Sequence, residues 1–179
     1  VANLKVLLVH TGETAEIRDL LLAFPDIAVV DAFDAYGATP DLATLSAYHA
    51  VVLINDYAYG DPFTLGNVLA DYVDANGSVI MTIASFISGW DVGGRFASGG
   101  YYPFTAGYRP LGYGGMSNFD ATHPIMQGVS SAWGDVLGGA SVAPGATWVA
   151  DWDNGQPFIA TQGDRVVGVN AFVAYDGYW

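Results

Sequence analysis

Residues 61–86, DPFTLGNVLADYVDANGSVIMTIASF, limit the fold more than any other stretch of the chain. Asp61 is a good N-cap, and Pro62 suits the first helical position, where its missing N–H costs nothing. Leu65, Val68, Leu69, Tyr72 and Val73 then recur at i, i+3, i+4, i+7 and i+8, which gives one apolar helical face. Asn76-Gly77 supplies residues that tolerate positive φ, so the helix is expected to stop there. Residues 79–83, VIMTI, follow at once as an apolar β-rich run without polar alternation. A run of this kind belongs to a strand covered on both faces, as in a parallel sheet flanked by helices.

The same unit repeats along the first half. LKVLLV (4–9) and AVVLI (50–54) read as buried strands, residues 27–30 as a shorter one, and Ile17, Leu20, Leu21 and Phe24 as the packed face of a helix ended by Pro25. Residues 42–48 read as a weak helix or turn. Strands over 5–9, 27–30, 50–54 and 79–83 are therefore expected to be parallel, in flavodoxin-like order 2-1-3-4. Ligands of such sheets sit outside the carboxyl ends of the strands. Here that rim would be built from His10, Thr11, Asn55, Asp56, Ala84 and Ser85.

After Phe86 the character changes. Residues 87–118 carry nine glycines, with Trp90, Phe96, Tyr101, Tyr102, Phe104, Tyr108 and Tyr113 among them. A loop this long is expected to be functional or packed by its own side chains. Residues 147–174 read as a β-meander, with turns at Asn154-Gly155 and Gly163-Asp164. The expectation is one α/β domain over 1–179: a three-layer αβα sandwich with a flavodoxin-like parallel sheet, a glycine-aromatic insertion at 87–118 and a C-terminal antiparallel meander.

Net charge enters through the choice of partner. Eighteen acidic residues against five Lys and Arg leave the chain at −13, which argues against nucleic acid. No run of about 18 apolar residues offers a membrane span. The absence of cysteine removes disulfides, thiolate nucleophiles and thiolate metal sites together. It fits a secreted protein that relies on core packing, though many cytosolic domains also lack cysteine. Val1 without a preceding methionine or signal-like segment reads as a processed product or an excised piece.

Four pieces in order, AYHAVVLIND, LADYVDANGSVIMTI, DATHPIMQGV and GQPFIATQGDRVVGVNAF, resemble the class I glutamine amidotransferase-like superfamily, especially its non-catalytic extracellular relatives. The resemblance implies the flavodoxin-like sandwich with a late meander, and modules that sit within larger secreted or surface proteins. It also implies a closing helix beyond the last strand; with the sequence ending at Tyr178-Trp179, that helix is expected to be missing, replaced or part of an excised portion. The enzymes of that superfamily use a cysteine on a sharp strand-to-helix turn, backed by a His and a Glu. The corresponding residues here are Ile83, Ala84, Ser85 and Phe86, without elbow glycines, and the two glutamates, Glu13 and Glu16, lie in the first helix.

Ser85 as a hydrolytic nucleophile with His10 or His123 as base is outweighed by a turn serine at a strand end. Asp151 and Asp153, next to Asn154-Gly155, are oxygen donors of the kind Ca²⁺ accepts, though Asp-Asn-Gly is first of all turn chemistry. No other cofactor is expected. Asn76-Gly77-Ser78 matches a glycosylation sequon at a place where Asn-Gly is already needed to end a helix. The expected function is a non-catalytic structural or interaction domain whose partners are proteins, either further copies of itself or neighbouring modules. The expected contact residues are Trp90, Arg95, Tyr101, Tyr102, Phe104, Tyr108 and Arg109, with an arginine meeting an Asp of the neighbour. The alternative is a carbohydrate- or cell-wall-related binding module or hydrolase, using the rim at His10, Asn55, Asp56 and Ser85.

Overall fold

The computed structural model describes residues 2–105 and 110–173. Its elements run β1 Leu4–His10, α1 Ala15–Leu22, β2 Ile27–Asp34, α2 Leu42–Leu45, β3 Ala50–Ile54, α3 Pro62–Asp74 and β4 Ser78–Thr82, then a 3-10 turn Ile83–Phe86. They continue with α4 Gly94–Ser98, β5 Pro110–Phe119, a 3-10 turn Pro124–Met126, β6 Trp133–Gly138, β7 Thr147–Trp152, β8 Pro157–Gln162 and β9 Val166–Val169. The strands form one sheet in the order β2-β1-β3-β4-β9-β8-β7-β5-β6. Every pair from β2 to β9 is parallel, and the pairs from β9 to β6 are antiparallel. The 2-1-3-4 order expected from strand–helix alternation is thus the order observed.

Helix α3 starts where the sequence places it. The Asp61 carboxylate accepts the N–H of Thr64 at 2.9 Å, and Pro62 occupies the first turn. Asn76, at φ 70°, then turns the chain out of the helix and into β4. The face that α3 buries holds Leu65, Gly66, Leu69, Ala70 and Tyr72, rotated from the expected stripe towards two small residues. Gly66 explains the rotation, because a Cβ there would lie 2.0 Å from the Gly93 carbonyl oxygen. The 87–118 insertion therefore rests directly on the helix backbone.

Successive strand residues point to opposite faces, and the two faces are covered differently. Leu7, Val9, Val51, Leu53, Val79 and Met81 meet α3 together with Phe86, Phe96, Tyr102 and Phe104. Val6, Leu8, Val52 and Ile54 meet Ile17 of α1 and Val173. Helix α1 covers less than its periodicity suggests, for Leu20 and Phe24 stay exposed and Ile17 is its buried residue. A third core lies under the meander, centred on Trp152 with Leu137, Val149, Phe158 and Ile159.

The insertion is not a single loop. It contains α4 and the long strand β5, which joins the sheet between β7 and β6. Glycines in β5 read as loop residues in the sequence, but they are placed by packing. A Cβ on Gly114 would come within 2.8 Å of Leu137 and 3.0 Å of the Asp153 carboxylate.

Candidate functional site

The carboxyl ends of β1, β2 and β3 open into a cleft of about 420 Å³ lined by His10, Thr11, Gly12, Glu13, Asp34, Tyr36 and Tyr57. The loops after β1 and β3 are stitched together at this end. Thr11 Oγ1 donates to the Tyr57 carbonyl at 2.7 Å, and the Tyr57 N–H donates back to it at 3.1 Å. Gly12 is required at the junction, since a side chain there would strike the Asp56 Cβ at 2.8 Å. His10 Nδ1 donates to the Gly12 carbonyl at 2.7 Å, because a carbonyl only accepts.

The four rim residues separate into two layers. His10 lines the cleft and Asp56 stands beside Gly12, whereas Asn55 and Ser85 are wholly buried beneath it. Ser85 Oγ donates to Asn55 Oδ1 at 3.0 Å and lies 3.3 Å from the hydroxyl of buried Tyr59. Asn55 Nδ2 in turn donates to the carbonyls of Trp90 at 3.1 Å and Tyr57 at 3.4 Å. This polar chain ties β3, the 3-10 turn after β4 and the start of the insertion together. Burial raises the Tyr59 phenol well above its ordinary pKa, so it stays neutral and donates a hydrogen bond. A serine held this way, on a 3-10 turn rather than an exposed strand-to-helix elbow, has no open face for a substrate. His123, the other base considered for it, accepts the Ile125 N–H in the turn at Pro124–Met126.

The aromatic insertion is placed differently from the sequence expectation. Tyr102 and Phe104 are core residues packed edge-on against Phe86, and the Tyr102 hydroxyl donates to the Val92 carbonyl at 2.6 Å. Neither can form a contact surface, because both rings are buried in the core they share with α3 and the sheet. Arg95 does not wait for an acid on a neighbour. It forms ion pairs with Asp71 and Asp74 of α3, the latter at 2.6 Å, and its Nη1 donates to the Tyr101 hydroxyl at 2.9 Å. Tyr101 donates to the same Asp74 carboxylate at 2.7 Å and stacks on Phe96. The bonds from Arg95 and then Tyr101 hold the Asp74 carboxyl below the usual range. Tyr108 and Arg109 lie outside the described residues.

Trp90 remains near the surface, its ring centroid 6.4 Å from that of Tyr57. Around it the carboxyl end of the sheet presents rings that periodicity did not single out. Tyr36 is 67% exposed, Tyr57 59% and Phe63 65%. The signal was present in the sequence: Tyr36 and Tyr57 lie in the short loops that leave β2 and β3, and Phe63 sits in the first turn of α3. At the meander the acids have local uses. Asp151 accepts the Trp148 indole N–H at 2.7 Å, and Asn154 folds back on the Gln156 N–H at 3.0 Å. Among the described residues no group of three or more His, Cys, Asp or Glu side chains is arranged to hold a metal ion.

No protein-family model matches the sequence, and no curated protein does. Solved structures do match. A cytoplasmic protein from Salmonella typhimurium LT2 superposes with a TM-score of 0.68 at 17% identity, over 93% of this chain and 87% of that one. A second cytoplasmic protein from Salmonella typhimurium gives 0.68 at 16% identity, over 94% and 87%. A glutamine amidotransferase from Thermotoga maritima gives 0.62 at 12% identity, over 95% and 76%. The chain shares its fold with these proteins, a glutamine amidotransferase among them. At these identities the likeness is one of fold. It also corrects the expectation of an extracellular or cell-surface protein, since two proteins sharing this architecture are named as cytoplasmic. A chain without cysteine is equally at home in a reducing compartment.

Proposed function

We propose that this chain is a non-catalytic domain of the amidotransferase-like fold that works through protein–protein contact. The observation that carries the reading is the burial of Ser85. The residue nearest to a nucleophile position is fully enclosed, with its hydroxyl engaged by Asn55 and Tyr59. The chain has no cysteine to take its place. The contact surface in this reading is the aromatic rim of Tyr36, Tyr57, Phe63 and Trp90. Large exposed rings gathered at one end of a domain mark association sites, where they bury much area at little entropic cost.

A second copy of the chain is the first partner to test. Sedimentation velocity across a wide concentration range should show reversible association, weakened at least tenfold in a Tyr57→Ser, Phe63→Ser double variant with an unchanged far-UV spectrum. A wild-type chain that stays monomeric throughout, and a variant indistinguishable from it, would remove self-association. A second reading rests on the cleft itself. Glu13, Asp34 and His10 beside the faces of Tyr36 and Tyr57 form a site suited to a polyhydroxylated ligand such as a sugar. Saturable quenching of the rim aromatics by an oligosaccharide, lost in Tyr36→Ala, would favour it over the contact reading.

A further inference from the structure

The opposite, amino-terminal end of the parallel strands carries a second cleft of about 420 Å³. Strand register places Lys5, His49 and Gly77 one residue ahead of the aligned Val6, Ala50 and Ser78, and Arg165 one residue ahead of Val166. Ser46, His49, Asn76, Gly77 and Arg165 line the cleft, with Tyr48 and Tyr72 as its aromatic walls, and no carboxylate is among the described lining residues. On a chain with eighteen acids and five Lys and Arg, that local composition is unusual.

The donors of the cleft can be assigned. The Lys5 N–H donates to His49 Nδ1 at 3.0 Å, so that nitrogen is unprotonated and Nε2–H is the donor of the neutral ring. Arg165 is held through its backbone, whose carbonyl accepts the Val79 N–H at 2.8 Å, while its guanidinium makes no hydrogen bond or ion pair among the described residues. The other described arginines are engaged: Arg95 with two aspartates, Arg18 with the Val30 carbonyl. The hydroxyls of Tyr48 and Tyr72 are directed away, to Asp31 and to the Tyr48 carbonyl. The wall itself is fixed. The Gly77 N–H donates to the Tyr72 carbonyl at 2.8 Å, and a Cβ on Gly77 would strike the Tyr72 ring at 2.3 Å.

We propose that this cleft binds a single oxyanion group, a carboxylate or a phosphate. The Arg165 fork would take two of its oxygens, with His49 Nε2–H, the Ser46 hydroxyl and the Asn76 amide as further donors. Guanidinium is the side chain whose planar donors match either anion in a bidentate way. The field of a −13 chain repels anions over most of its surface. An anion is therefore directed to the place where cationic and neutral donors meet without a carboxylate in the lining. This site is independent of the rim contact surface.

The test is an amide-resolved NMR titration of the full ¹⁵N-labelled chain with inorganic phosphate and, separately, with succinate, at ionic strength held constant with sodium chloride. The expected result is saturable shifts at residues 49, 76, 77 and 165 with at least one of the two anions. Affinity should fall at least tenfold in Arg165→Gln. It should fall similarly in Asn76→Asp, which keeps a side chain tolerant of positive φ and places a negative charge in the cleft. Saturation with succinate alone identifies a carboxylate site, with phosphate alone a phosphate site. Non-saturating shifts equal to those produced by chloride, saturation mapping elsewhere, or an affinity unchanged by Arg165→Gln would each overturn the proposal.

Discussion

Replacing Ser85 with Ala distinguishes a structural serine from a reactive one. In the folded chain Ser85 Oγ gives its proton to Asn55 Oδ1, so the Tyr59 hydroxyl, 3.3 Å away, is the donor of the second bond. The substitution removes about one oxygen of volume but orphans two groups at once, an amide oxygen and a phenol O–H, both in fully buried surroundings. An orphaned buried group costs roughly 1–3 kcal/mol, so the loss should lie at about 2–4 kcal/mol once the small void lets the neighbours relax. For a domain of this size that is on the order of a 5–12 °C fall in Tm. The diagnostic feature is non-additivity. Tyr59→Phe alone should cost about 1 kcal/mol, as for one lost neutral hydrogen bond. In the Ser85→Ala background it should be neutral or stabilising, since it deletes a hydroxyl that no longer has a partner. Urea unfolding of the four-member cycle, followed by tryptophan fluorescence and circular dichroism, gives the coupling. Additive costs, or labelling of Ser85 by a serine-reactive phosphonate together with a hydrolysis lost in Ser85→Ala, would refute both the network and the non-catalytic reading.

Two further outcomes follow from the packing. Gly66→Ala drives a Cβ into the Gly93 carbonyl, so it should destabilise by roughly 1–3 kcal/mol despite alanine's better helix propensity; the same change at Gly37, whose surroundings are open, should be close to neutral in a parallel urea titration. Tyr59 and Tyr102 have phenols raised by burial above the ordinary value of 10.0, so they stay protonated in the folded chain while the unfolded chain ionises. Stability should therefore be intact below about pH 10 and fall above it by up to ~1.4 kcal/mol per pH unit for each such phenol, and Tyr59→Phe should make the fall measurably shallower.

What the sequence made legible is what local periodicity controls. Asp61, Pro62 and Asn76 bound α3 through caps and a left-handed residue, and the uninterrupted apolar runs of β1, β3 and β4 declare a sheet covered on both faces. The second half was less legible because its signals depend on distant partners. β5 was hidden by glycines whose absent side chains make room for Leu137 and Trp152 of other strands. Arg95 looked like an interface cation because its aspartates lie in a helix over twenty residues away in sequence. The exposed Tyr36 and Tyr57 gave no periodic signal, being single residues in the loops after β2 and β3.

The aromatic insertion then has a definite physical part in the reading of function. Its rings could lie on the surface as a contact patch or inside as a cover, and the sheet decides between these. Helix α3 meets the insertion at Gly66, a residue without a side chain, so Val79, Met81 and Leu53 need further cover. Phe96, Tyr102 and Phe104 supply it, Tyr102 through a hydroxyl that satisfies a backbone carbonyl in passing. The Arg95 ion pairs with Asp71 and Asp74 then fasten α4 to the outer side of the same helix. These are exposed pairs, better suited to fixing position than to adding stability. Fastened in this way, the insertion delivers Trp90 to the carboxyl end of β3, where its carbonyl is held by Asn55 and its ring stands beside Tyr57. The same glycine-aromatic stretch that closes the core thus completes the exposed rim. A perturbation of that core, such as Gly66→Ala, should accordingly weaken rim contacts that the substituted residue does not touch.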